Sequence, residues 1–146
     1  MLSKSCKYGF RATILLASKM EEGVKLSVKE IADEIDAPQA FTGKVLQILK
    51  KHNIINSLKG PYGGFYCDKR HLKIPIIEIV NAIDGLSIFK ECILGLHNCS
   101  DEHPCPMHNQ HMHTKERLIN SFERTTIAQL AQGLNEGNSF ITSIDE

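Results

Sequence analysis

The sequence predicts a mainly α-helical fold, a winged helix-turn-helix with a two-stranded wing and a long C-terminal dimerisation helix. Three observations predict it: two short helical patterns separated by a proline break, a glycine-rich turn between two apolar runs directly after them, and a long polar helical stretch near the end.

The first helix is read over Cys6 to Lys19. Tyr8, Ala12, Leu15, Leu16 and Lys19 follow helical spacing, no proline interrupts them, and Glu22-Gly23 closes the segment as a turn. Ser27 followed by Val28-Lys29-Glu30 is a capping box, in which the hydroxyl and the carboxylate each satisfy an end amide. A second helix therefore starts at Val28 and carries Ile31, Ala32 and Ile35 inward. Asp36-Ala37-Pro38 ends it, because proline disfavours helical geometry in the residue before it.

The third helix is expected from about Pro38 to His52. Phe41, Val45, Ile48 and Leu49 are assigned to its inner face, and Gln39, Thr42, Lys44 and Gln47 to its polar face. Ile54 to Lys59 reads as a strand, Gly60-Pro61-Tyr62-Gly63-Gly64 as a turn that needs positive φ, and Phe65 to Asp68 as the return strand. Ile74 to Ile83 reads as a fourth helix with Ile76, Ile79, Val80 and Ile83 inward, closed by Asp84-Gly85. After Pro106 a polar stretch runs to Arg124 with only Met112, Leu118, Ile119 and Phe122 as a sparse stripe, which suits a partner helix better than a deep core. Thr125 or Thr126 then caps a last helix through Leu130 and Leu134, with a frayed tail expected after Gly137.

Charge is zero overall but unevenly placed. Residues 1–36 balance, residues 37–75 carry seven basic side chains against Asp68 alone, and residues 76–146 carry four basic against ten acidic. A basic middle segment of this kind suits contact with phosphates, while the acidic remainder suits solvent or a partner subunit. No apolar run approaches membrane-spanning length and no leader pattern opens the chain, so a cytoplasmic protein without membrane contact is expected.

Five cysteines are present, and Cys92, Cys99 and Cys105 fall together on a segment containing glycine and proline. In a reducing compartment that pattern favours metal or redox chemistry over a disulfide framework. A loop can wrap an ion or cluster where a regular helix would point the thiols apart. Three cysteines leave a fourth ligand to be found, and His108, three residues past Cys105, is placed ahead of Cys6, His103 and His97. Five of the seven histidines lie between His97 and His113, which keeps zinc open as an alternative occupant. Cys6 and Cys67 are assigned to the core, and Met107 and Met112 to packing. No nucleophile and base pair, phosphate loop or paired carboxylates form a recognisable motif, so no enzyme is expected.

With these parts in order, the chain resembles the IscR and NsrR type of bacterial winged-helix transcription regulators, the Rrf family, over nearly its whole length. The resemblance is carried by Lys7-Tyr8-Gly9-Phe10-Arg11-Ala12, Ser27-Val28-Lys29-Glu30-Ile31-Ala32, the wing Lys59-Gly60-Pro61-Tyr62-Gly63-Gly64-Phe65-Tyr66 and Ile79-Val80-Asn81-Ala82-Ile83-Asp84-Gly85. The three cysteines and Thr126-Ile127-Ala128-Gln129-Leu130-Ala131 complete it.

It implies a homodimer joined by the long helix, a near-palindromic double-stranded DNA operator, and an iron-sulfur cluster (2Fe-2S or 4Fe-4S) whose ligation or loss changes operator affinity. Residues 1–85 would form the DNA-binding domain, 86–106 the cluster-binding loop, and 107–146 the dimerisation and C-terminal helices. The family takes its fourth ligand from a histidine at the His108 position or from an acidic residue on the first helix, where this chain has Lys7. Gln39, Thr42 and Lys44 are the expected base readers. Lys50, Lys51 and Lys59 are the expected phosphate contacts, with Pro61 and Tyr62 at the wing tip in or beside the minor groove. Redox state, nitric oxide, iron-sulfur supply and cysteine metabolism all fit as signals. The alternative is a cluster-free regulator that senses through thiols, zinc or a protein partner.

Overall fold

The computed structural model describes residues 1–143. Helix α1 runs Lys4–Ser18, opened by the Ser3 hydroxyl accepting from the Cys6 amide at 3.0 Å. It ends one residue before Lys19, which becomes its cap, and a 3-10 turn at Met20–Glu22 follows. Tyr8, Ala12, Leu15 and Leu16 are buried as expected. At Gly9 the missing side chain leaves room for Ile83 and Val45 to approach: a Cβ there would stand 2.3 Å from Ile83 Cδ1 and 3.3 Å from Val45 Cγ1.

Helix α2 (Val28–Glu34) has the capping box in full, with Glu30 N bonded to Ser27 Oγ and Ser27 N to Glu30 Oε1, each at 3.1 Å. Asp36 takes a left-handed φ of 53° in the tight turn that follows, and Pro38 caps α3 (Gln39–Lys51).

The faces of α3 need correcting. Its buried stripe is Thr42, Val45, Leu46 and Leu49, spaced i, i+3, i+4, i+7, whereas Phe41 is half exposed and Ile48 only partly buried. Thr42 tolerates the interior because its hydroxyl donates to the Pro38 carbonyl at 2.9 Å.

The wing consists of β1 (Asn56–Leu58) and β2 (Gly64–Tyr66), antiparallel with Ser57 opposite Phe65. Both strands are shorter than expected, since Ile54 and Ile55 turn into the core before pairing begins. Leu26 adds a third edge, exchanging hydrogen bonds with Phe65 at 3.0 and 2.8 Å. Gly64, at φ 144°, makes that edge accessible, because a Cβ would meet Leu26 O at 2.8 Å.

Helix α4 is Ile77–Ile83, three residues shorter at its start than the expected Ile74 to Ile83. Pro75 forces Ile74 into an extended conformation (φ −69°, ψ 128°), and Ile74 to Ile76 instead pair with Thr125 to Ile127 through hydrogen bonds of 2.9 and 3.0 Å. Helix α5 (His108–Arg124) has no buried residue. Helix α6 (Ile127–Asn135) opens with a Thr126–Gln129 capping box and packs on α1 through the main core, which holds Ile127 and Ala131. Past Gly137 the tail is tied down rather than frayed as far as it is described: Asn138 and Ser139 amides bond the Gly133 carbonyl, and Ile141 packs on the core; residues 144–146 lie outside the described part.

A second, smaller core gathers Cys6, Ile77, Val80 and Phe89, with Leu118, Ile119 and Phe122 of α5 against it. Phe122 sits edge-on to both Phe10 (5.9 Å between centroids) and Phe89 (5.7 Å). Among the described residues no helix is long and apolar enough to cross a membrane.

Candidate metal centre

The cysteine segment leaves the small core at Phe89, which is buried, and runs on to the start of α5. Between them the chain has no regular structure but is closed by turns: Gly95 N bonds Cys92 O at 2.9 Å, Ser100 and His103 bond each other's backbone at 3.1 and 3.3 Å, and His108 N bonds Cys105 O at 3.0 Å. Gly95 (φ 72°) and Asn98 (φ 62°) supply the left-handed conformations that fold it back on itself.

The folding brings the three cysteines together, with ligand atoms all within 4.8 Å of one another. Cys92 Sγ and Cys105 Sγ are 3.6 Å apart, and the Cys105 amide donates to Cys99 Sγ at 3.4 Å. His108 adjoins one of them, its Nδ1 lying 3.2 Å from Cys99 Sγ, although it stands outside the group whose ligand atoms are all within 4.8 Å of one another. Its other nitrogen, Nε2, is 2.9 Å from Asp101 Oδ1, so the carboxylate fixes the ring with the proton on Nε2 and the Nδ1 lone pair facing the thiols. Backbone amides of Leu96 and Leu94, with the Cys105 and Cys99 thiols, pull Cys92 down to about 7. Burial pushes Cys105 the other way.

The four donors line a cavity of about 240 Å³ that also has Lys90, His111, Met112 and Lys115 in its wall. Lys115 Nζ donates to the Glu91 carbonyl at 2.7 Å, tying the start of the loop to α5. Thiolates are the customary ligands of iron-sulfur clusters and histidine replaces one in some centres, so the donor set fits such a group. It also fits a single tetrahedral ion, whose bonds of about 2.3 Å would hold two sulfurs roughly 3.8 Å apart.

The other sequence candidates are not in the group of mutually close ligand atoms. His97 and His103 are exposed on the loop, and His97 borders a separate depression that Cys92 and Cys99 also line. Cys6 is fully buried in the small core, where burial and Asp84 raise its thiol to about 12, and Cys67 is likewise buried at about 12. Met112 is partly buried in the cavity wall, but Met107, expected to pack, is 41% exposed beside Pro106. Sequence reasoning missed Asp101, His111 and Lys115. The available signals were a carboxylate two residues past Cys99 and a histidine one turn after His108 on the same helical face.

In α3 and the wing, Gln39, Lys44 and Gln47 are exposed, as are Lys51, Lys59, Pro61 and Tyr62, while Lys50 is partly so. Thr42 is not with them: only 1% of it is exposed, and it cannot reach a ligand on that face.

A family model described as Rrf2, an iron-dependent transcriptional regulator, matches residues 2–133. An HTH-type transcriptional regulator of Aquifex aeolicus is 33% identical over 132 residues, covering 89% of this chain and 90% of the relative. IscR of Klebsiella pneumoniae is 22% identical over 88% of this chain and 78% of its own length. Among solved structures, T. potens IscR superposes with a TM-score of 0.70 at 18% identity, covering 95% of this chain and 91% of that one. CymR, described as the global cysteine regulator of B. subtilis, superposes at 0.68 with 21% identity over 90% and 96% of the two chains. These likenesses extend over the winged helix-turn-helix and the C-terminal helices alike, and the chain belongs to the Rrf2 family of transcriptional regulators, not to an enzyme family.

Proposed function

We propose that this chain is a cytoplasmic, homodimeric regulator that binds a double-stranded DNA operator through residues 1–85 and whose operator affinity is set by an iron-sulfur cluster on the loop 86–106. Cys92, Cys99, Cys105 and His108 are the ligands, and residues 107–146 join the two copies. The observation that carries the reading is the meeting of three thiols, with the His108 Nδ1 against Cys99, at the root of a long helix none of whose residues is fully buried. When bound, the group supplies a centre that iron availability, oxidants or nitric oxide can alter.

The chain's own residues supply the rest. Phe89 and the Lys115 bond to Glu91 O hold the loop's entry, and Phe122 connects that entry to Phe10 on α1. Helix α1 packs on α3, whose Gln39, Lys44 and Gln47 face outward. In this reading Lys50, Lys51 and Lys59 contact phosphates and Pro61 and Tyr62 the neighbouring groove, which their exposure supports for all but the partly buried Lys50. Two recognition helices must meet half-sites about 34 Å apart or a multiple of it, so a small displacement along this route changes binding.

The test is anaerobic reconstitution with iron and sulfide analysis, followed by operator binding of the loaded, metal-free and Cys92→Ala proteins. Loaded protein that holds iron and sulfide and differs at least tenfold in affinity from the other two is expected. Equal affinity in all three overturns the reading, since a ligand without differential affinity shifts nothing. A second reading, a single zinc or ferrous ion, is favoured by the compactness of the site, with sulfurs 3.6 Å apart. Metal without acid-labile sulfide identifies it.

A further inference from the structure

The exposed face of α3 is not uniformly polar. Among Gln39, Lys44 and Gln47 lies a shallow, open depression that Ala40, Gly43 and Val28 of α2 also line. At Gly43 the helix has no side chain, and the nearest atom to the place a Cβ would occupy is Val28 Cγ1 at 3.6 Å. An alanine would fit there in ordinary contact and would favour the helix by about 1 kcal/mol over glycine. The chain therefore keeps a shallow apolar recess, the space a Cβ would fill, at a position where neither space nor helix geometry demands glycine.

The surroundings indicate the occupant. The recess lies in the first half of the helix that follows the tight turn, beside the Lys44 ammonium, in the segment carrying seven basic side chains against one acidic. Two glutamines, each able to bond both N6 and N7 of adenine, flank it. In the major groove the apolar feature that distinguishes one base pair from the others is the 5-methyl of thymine.

We propose that the Gly43 recess receives a thymine 5-methyl group, making Gly43, Ala40 and Val28 specificity-determining residues for an A·T pair in each half-site. This rests on the reading of α3 as the helix that enters the major groove. Burying one methyl corresponds to about a fourfold gain in affinity per half-site.

The experiment uses full-length, anaerobically loaded protein. A preferred duplex is selected from a random library, and each thymine is then replaced singly by deoxyuridine, which keeps every hydrogen-bonding edge and removes only the methyl. One thymine per half-site is expected to show about a fourfold loss. Gly43→Ala and Gly43→Leu are expected to remain folded by circular dichroism and to bind the thymine and deoxyuridine duplexes within 1.5-fold of each other. If a preferred duplex emerges but no deoxyuridine replacement weakens binding, or if both variants keep the wild-type discrimination, the recess proposal is overturned while DNA reading by α3 stands. If no duplex is preferred over random sequence, the reading of α3 itself fails, and this proposal with it.

Discussion

The imidazole of His108 is held from both sides, Nδ1 at 3.2 Å from Cys99 Sγ and Nε2 at 2.9 Å from Asp101 Oδ1. Partners of this kind fix the tautomer and raise the basicity of a ligand nitrogen, and losing them weakens metal affinity by tenfold or more. Asp101→Ala is therefore expected to lose metal to a chelator about ten times faster than wild type while keeping the same metal-to-protein ratio on fresh loading. Unchanged loss rates would show that the carboxylate only decorates an exposed loop.

Phe122 is the aromatic contact shared by the loop's anchor, Phe89, and by Phe10 on α1. Truncating it to alanine opens a gap beside the small core. Because Phe122 is only partly buried, the stability cost should be about 2 kcal/mol, below the range for a fully enclosed phenylalanine. The informative measurement is operator affinity with and without the metal centre: the ratio between the two states should collapse toward one in Phe122→Ala. A variant that is destabilised but keeps the full ratio rules out this route.

In the proposed reading Lys50, Lys51 and Lys59 contact phosphates, whereas Thr42 is buried with its hydroxyl donating to Pro38 O. Each lysine changed to alanine should flatten the slope of log affinity against log salt by about one per protomer, without altering sequence preference. Thr42→Val should leave both slope and preference unchanged. A changed base preference in Thr42→Val would contradict the inward placement of that side chain.

His71 is buried, and its Nδ1 accepts the Asp68 amide proton at 2.9 Å. Burial lowers its pKa below the ordinary 6.5, outweighing the opposing pull of the nearby Asp68 carboxylate. As pH falls through 6.5 the unfolded chain takes up a proton that the folded chain resists, so stability present above that pH is lost below it. Urea unfolding of metal-free protein from pH 7.5 to 5.5 should show this decline. In His71→Asn, whose amide oxygen still accepts from Asp68 but does not titrate, the decline should be shallower. Equal pH dependence in the two proteins would remove His71 as the cause.

Much of this architecture can be read from local chemistry. Ser27 with Glu30, Asp36 to Pro38, and the glycines around Tyr62 each dictate a cap, a break or a turn within a few residues, and all appear where expected. The cysteine triplet was legible for a similar reason: its close spacing on a loop with glycine and proline leaves the thiols few ways to avoid meeting.

What was not legible depends on partners remote in sequence or on groups that hide their polarity. Thr42 behaves as an apolar residue once its hydroxyl finds the carbonyl four residues back, and this displaces Phe41 toward solvent. Ile74 to Ile76 leave the helix because Thr125 to Ile127 offer a bridge from fifty residues away. Asp101 lies in a loop without periodicity, so nothing but the folded path shows that it reaches His108.

Helix α5 begins with a residue of the candidate metal centre and has no fully buried residue, only Leu118, Ile119 and Phe122 lying against the small core. Its order is thus supplied at its two ends, by the thiol pocket at its start and by the packing of Leu118, Ile119 and Phe122 near its end, with the turns between them spanning the distance. Loading the pocket and covering the helix with a second copy would then stiffen the same seventeen residues, so each event lowers the entropic cost of the other.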